Sequence, residues 1–258
     1  MKNVVVVPIY RHPTGTEKCA LRQCAAVFHR QDICIIYPRS LDIKNDLALY
    51  PHLRSVALDD RWFAGVEGYN FMMLSPDFYQ IFSKYDYMLI YQLDAYVFED
   101  QLDEWASKGY DYIGAPWMPN TNFFQLTIGS LIRRLRNALS PAGTTERVTH
   151  AQLAYSVGNG GFSLRRIAKM EEVTRRFASE ISRLRFGEKK AQEDVFLSVY
   201  IRKRAGILVP GWREALRFAW ENNPQYSMKK NGGVLPFGCH GWSRGGAWDE
   251  FWKAYIER

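Results

Sequence analysis

The chain has few cysteines, four in 258 residues: Cys19, Cys24, Cys34 and Cys239. Their spacing contains no CxxC pair and no disulfide-scaffold density, which argues against a structural zinc site and fits reduced thiols. No apolar run approaches the ~18–20 residues of a membrane-spanning helix. The start, MKNVVVVPIYRHP, has an apolar core too short for a secretory leader and meets Tyr, Arg and His where small residues would mark cleavage. The expected location is therefore cytoplasmic. There is no Walker ending, no GxGxxG spacing, no zinc-finger spacing, no RNP-like aromatic motif and no basic low-complexity tail. The net charge of +7 suits an anionic partner, but its distribution does not favour nucleic acid.

What is present is an ordinary globular composition, 47% hydrophobic, compatible with one domain. Strands are expected at Val4–Val7, Ile33–Tyr37, Arg54–Leu58, Tyr87–Gln92 and Tyr112–Ala115. Helices are expected over Glu17–His29, Pro76–Tyr85 with Ser75 as N-cap, and Leu102–Ser107. This alternation predicts an α/β fold of three layers with a mostly parallel central sheet. Ligands in such sheets bind beyond the carboxyl ends of the strands, where Pro8–Arg11 and Gln92–Tyr96 would lie.

The run YMLIYQLDAYVF, Tyr87–Phe98, is the most informative segment. It reads as a strand buried on both faces, with Asp94 at its downstream end. An ionised carboxylate there loses hydration worth several kcal/mol unless a cation or donors replace it. Asp94 therefore needs a partner, and a metal is the sharpest candidate.

Later segments carry further candidates, each with two readings. Residues 120–147 include an amphipathic stretch with Ile128, Leu131, Ile132, Leu135 and Leu139 on one face and Arg133, Arg134 and Arg136 largely on the other. It is either a helix packed on the core or an interfacial helix drawn to anionic lipid, and Ser140–Thr145 reads as a connector. In Val157–Leu164 the glycines around Asn159 either admit a ligand close to the backbone or form a tight turn, and Ser163 could cap a following helix. A helix is expected over Ala191–Arg204, where Glu193 and Asp194 in the first turn complement the helix dipole. His240, in Leu235–Trp242, is either a hydrogen-bonded structural histidine or a ligand. Trp117 and Trp242 are either sugar-stacking platforms or packing residues. Trp248, Phe251, Trp252 and Tyr255 recur at helical spacing and are expected to seal the domain.

Taken together, LIYQLDAYVF, GYDYIGAPW, VGNGGFSLR, QEDVF and PFGCHGW make the chain resemble glycosyltransferases of the GT-A fold, through a bacterial family catalogued as a domain of unknown function. The resemblance spans nearly the whole chain. It implies a single glycosyltransferase domain with a nucleotide-sugar half (1–118), an amphipathic insert (119–150) and an acceptor and catalytic half (151–258). GT-A enzymes carry a DXD motif at the end of a central strand. Here it is degenerate, with Asp94 its surviving carboxylate and Gln92 or Tyr96 in the place of the other.

The resemblance further implies a divalent cofactor, Mn²⁺ or Mg²⁺, on Asp94 and His240, and a nucleoside-diphosphate sugar, UDP by base rate, near Pro8, Tyr10, Arg11, Gln92 and Asp94. Asp194 would be the catalytic base of an inverting transfer. Glu193, Gly160, Gly161, Trp117 and Trp242 would meet the acceptor, a glycan or lipid-linked saccharide, with peripheral contact to the inner face of an anionic membrane left open. A retaining transfer stays open beside the inverting one, since fold does not dictate stereochemistry, and so do two other readings, a nucleotidyltransferase and a non-catalytic glycan-binding module.

Overall fold

The computed structural model describes residues 1–119, 153–184 and 192–256. Its centre is a six-stranded sheet in the order β3-β2-β1-β4-β7-β6. The strands are β1 (Asn3–Pro8), β2 (Asp32–Pro38), β3 (Arg54–Leu58), β4 (Tyr87–Tyr91), β6 (Tyr112–Gly114) and β7 (Phe162–Arg166). β1, β2, β3 and β4 run parallel, while β7 is antiparallel to both β4 and β6. Every residue of β1 and β4 is buried, as near-continuous Val, Ile, Leu and Tyr runs require of strands covered on both faces. The expected mostly parallel α/β fold is therefore the fold observed.

Local chemistry accounts for these elements. β-branched Val4–Val7 favour the extended chain, and proline closes both β1 and β2. The Glu17 carboxylate starts helix Gly15–Val27 by accepting from the Thr14 backbone N–H at 2.7 Å. Pro76 opens helix Pro76–Ile81 at its first turn, although the Ser75 hydroxyl makes no capping bond.

Four expectations change. The run Tyr87–Phe98 is two strands, β4 and β5 (Ala95–Val97), separated by a turn at Gln92–Asp94. Asp94 therefore leaves the buried strand, and its side chain is 42% exposed. Ser163 lies inside β7, and the next helix, Ile167–Arg176, has Arg166 as its N-cap residue. The expected helix Ala191–Arg204 is broken into Glu193–Val195, a π-helical turn Phe196–Tyr200, and Arg202–Ala205. The amphipathic stretch and connector of 120–147 lie outside the described residues. Among the described residues no helix is long and apolar enough to cross a membrane.

Two features place the site. From β1 the chain proceeds outward to β2 and β3, then returns to β4 on the other side of β1, so a crevice opens beyond the carboxyl ends of β1 and β4. Beside it lies a second sheet, β5-β9-β8, made of β5, β8 (Ala219–Trp220) and β9 (Gly238–His240). A second core cluster that includes Tyr96, Trp220, Cys239, Trp242 and Trp252 supports that small sheet.

Candidate active site

The small sheet brings distant residues together. β5 and β9 pair with Ala95 opposite His240, and the Asp94 carbonyl accepts the Gly241 N–H at 2.8 Å, so Asp94 and His240 become neighbours. His240 Nε2 lies 3.0 Å from Asp94 Oδ1 and 3.2 Å from Gln92 Oε1. On the other side of the ring, Nδ1 is 3.5 Å from Glu221 Oε1, which also accepts from Arg244 Nη2 at 2.7 Å.

Burial alone would lower the His240 pKa, but Asp94 and Glu221 outweigh it and raise it to about 9. Burial pushes the Asp94 carboxyl up, yet His240 and Arg244 leave it below the usual carboxylate range. Glu221 is lowered likewise, with burial opposed by His240 and Arg244. At neutral pH the group thus holds two cations and two carboxylates, with the Asp94 and Gln92 oxygens beside Nε2, and the Glu221 oxygen and Arg244 Nη2 both 3.5 Å from Nδ1.

The glycine-rich loop joins this group to a second one. Because β7 runs antiparallel to β4 with Phe162 opposite Tyr91, the loop before it lies against Gln92, whose N–H donates to the Gly161 carbonyl at 2.9 Å. A Cβ on Gly161 would overlap the His240 ring, and one on Gly160 would overlap the Glu193 carboxylate. The glycines thus make room for the site's own side chains. Asn159 turns the loop at φ 59°, and its Oδ1 accepts from the Gly161 N–H at 3.2 Å.

Glu193 and Asp194 have separate roles. Glu193 is buried and uses both oxygens on fully buried Arg165, at 2.8 and 3.0 Å. Its backbone N–H donates to Asn70 Oδ1 at 2.6 Å. Asp194 accepts from the Gly160 N–H at 3.1 Å and the Val195 N–H at 2.7 Å. Burial first, then neighbouring Glu193, raise its pKa to about 7. A carboxylate so poised exchanges a proton near neutral pH.

Two recesses meet here. One, of about 360 Å³, is lined by Pro8, Ile9, Tyr10, Arg11, Glu17, Gln92, Leu93 and Asp94. The other, about 540 Å³, includes Tyr10, Val66, Gln92, Gly160, Gly161, Asp194, His240 and Arg244 in its walls. The structure therefore gathers Pro8, Tyr10, Arg11, Gln92, Asp94, Gly160, Gly161, Asp194 and His240.

It does not bring the tryptophans to the cleft. Trp242 is 1% exposed and donates from Nε1 to the Ala95 carbonyl at 3.2 Å. Trp117 is buried against Leu153 and Val195, over Gly158. Both are packing residues, because their faces are covered by protein. Glu193 reaches the cleft wall, but its committed oxygens make it an anchor for Asp194 and not an acceptor contact.

Among the described residues no three His, Cys, Asp or Glu side chains form a cluster able to hold a metal. With the Gln92 amide oxygen included, however, two oxygens stand within hydrogen-bond reach of Nε2, at 3.0 and 3.2 Å, and oxygen donors of this kind suit a hard divalent ion. The residues fit such an ion once Nε2 gives up its proton. Glu221, Arg244, Asn70 and Arg165 escaped the sequence reading. Arg165 is visible in the sequence only as one of several basic residues, and nothing local marks it as the partner of Glu193.

No curated protein matches the chain. Solved structures share its fold at low identity. Mouse xyloside xylosyltransferase 1, apo form, is 10% identical with a TM-score of 0.52, covering 94% of this chain and 98% of that one. The galactosyltransferase LgtC in complex with donor and acceptor sugar analogues is 12% identical at 0.51, covering 92% and 86%. The bifunctional glycosyltransferase WbbM, apo, is 13% identical at 0.55, covering 99% of this chain and 51% of that one. A family profile matches residues 52–240, from the approach to β3 through His240, and by that match the chain belongs to the family described as Protein of unknown function (DUF5672).

Proposed function

We propose that the chain transfers a sugar from a nucleoside-diphosphate sugar to a hydroxyl of a glycan or lipid-linked acceptor. The observation that carries the reading is the cleft itself, where the Gln92, Asp94, His240 group and an Asp194 with a pKa near 7 line walls that meet at the topological switch point. The likeness in fold to sugar transferases supports it.

In this reading the recess at Pro8, Tyr10 and Arg11 takes the nucleoside, and the larger recess takes the sugar and the acceptor. The acceptor hydroxyl attacks the anomeric carbon as the bond to the diphosphate oxygen breaks. Its proton passes to Asp194, and the configuration inverts. Arg244, half-exposed in the cleft wall, faces the negative charge that grows on the departing diphosphate. A divalent cation, Mn²⁺ or Mg²⁺, held by Asp94, His240 and Gln92, would supply Lewis-acid neutralisation of that charge.

Two observations weigh against the alternatives. At the start of helix Gly15–Val27, where a nucleotidyltransferase would place phosphate, the Glu17 carboxylate already occupies the Thr14 N–H and the Arg11 guanidinium. A glycan-binding module would need the tryptophan faces that are buried. The test is thermal shift with UDP, GDP and their sugars, with and without Mn²⁺, followed by NMR of the product anomer. Ligand-dependent stabilisation and an inverted product are expected. Retention of configuration refutes Asp194 as the base of a single displacement.

A further inference from the structure

We propose that Glu221 is a positioning residue that fixes His240 and Arg244 in the cleft wall through one shared carboxylate oxygen. The inference rests on the functional reading above and assigns a role to a residue that the reading leaves out.

The topology leads to it. β9 lies between β5 and β8, with Ala95 opposite His240 on one side and Trp220 beside Cys239 on the other. The residue after Trp220 is therefore delivered to the flank of His240 that faces away from Asp94. That residue is Glu221, 9% exposed, a carboxylate whose burial is offset by two cationic neighbours.

Its Oε1 serves both. At 3.5 Å from Nδ1 it faces the ring nitrogen opposite the one turned to Asp94 and Gln92, which leaves Nε2 directed into the cleft. A carboxylate behind a ligating histidine sets ring orientation and tautomer, and its loss typically weakens metal binding about 10- to 100-fold.

The same oxygen holds Arg244 at 2.7 Å. Arg244 needs an anchor because its backbone is permissive, with Gly241, Gly245 and Gly246 all at positive φ. The guanidinium folds back over Gly241, where a Cβ would overlap it. Glu221 touches neither recess wall, so it acts through the two residues it holds.

The test uses the full chain, Glu221→Gln, Arg244→Gln and the double variant, with UDP and GDP binding measured by calorimetry in MnCl₂ and in EDTA. Glu221→Gln should weaken Mn²⁺-dependent nucleotide binding at least about tenfold. In EDTA, its effect should vanish in the Arg244→Gln background. The His240 ring ¹⁵N resonances should also move in Glu221→Gln, a signature that a purely structural role would not give. If that variant does not fold, Arg244→Gln alone should shift the same resonances by freeing the shared oxygen.

Equal Mn²⁺-dependent affinity in wild type and Glu221→Gln, or an effect in EDTA that persists without Arg244, overturns the inference alone. A wild-type chain that binds neither nucleotide in either medium overturns the functional reading and the inference with it.

Discussion

Asp194→Asn should change folding stability by an amount that depends on pH. Burial and Glu193 raise the Asp194 pKa from 3.8 to about 7 in the folded chain. Between those values the unfolded chain releases the proton first, so the folded state binds more protons and stability falls as pH rises. The penalty is absent below the lower value and complete above the higher one. A gap of about three units at 1.36 kcal/mol each is an upper bound of about 4 kcal/mol.

Asn removes this ionisation cost. Its amide group, however, turns an N–H toward one of the two backbone donors, Gly160 or Val195, that the carboxylate accepts, a loss of about 1–3 kcal/mol. The variant should therefore gain about 1–3 kcal/mol over wild type at pH 8, and the gain should shrink by about 2–3 kcal/mol by pH 5. Urea denaturation of both proteins at the two pH values measures it, since other titrating groups cancel in the difference. An effect equal at pH 5 and pH 8 would refute the account of Asp194. The same variant should lose transfer by about 10²- to 10⁴-fold while keeping donor affinity, the trade between stability and activity expected of a strained site.

Other outcomes follow from the same geometry. The wild-type transfer rate should fall about tenfold per unit as pH drops below about 7, read from initial rates on a saturating donor. Gly161→Ala should cost about 1–3 kcal/mol by overpacking and abolish the Mn²⁺ dependence of nucleotide binding, because the new methyl displaces His240. Gly160→Ala should instead disturb the Glu193–Arg165 pair and spare that dependence. Trp242→Ala should cost about 3–5 kcal/mol in denaturation. A raised acceptor KM at unchanged stability would refute the packing role and make Trp242 a sugar platform.

What could be read without the structure was what local pattern specifies. Val4–Val7 and Ile33–Tyr37 are β-branched or apolar runs closed by proline, and these two and the more polar Arg54–Leu58 are strands within a residue or two of their expected limits. The crevice expected at Pro8–Arg11 and Gln92–Tyr96 followed from that alternation, and the recess is lined by Pro8–Arg11 and Gln92–Asp94, while Tyr96 is buried in β5.

The order of β7 and β6 was not legible, because nothing near Phe162 says that the strand will insert antiparallel between two earlier ones. Trp242 stood between two readings for a related reason: an aromatic ring suits a sugar face and a core equally, and only its neighbours decide. Asp94 and His240 could be paired beforehand only through a family resemblance, since β5 and β9 are three residues each and β8 is two. Such strands are too short to show a period. Their residues belong instead to a core cluster that joins Tyr96, Trp220 and Cys239 of the strands to Trp242 and Trp252, and such packing outweighs strand propensity. The ionic group is thus positioned by long-range packing, and Glu221, at the end of the shortest strand, is the member with the weakest local signal.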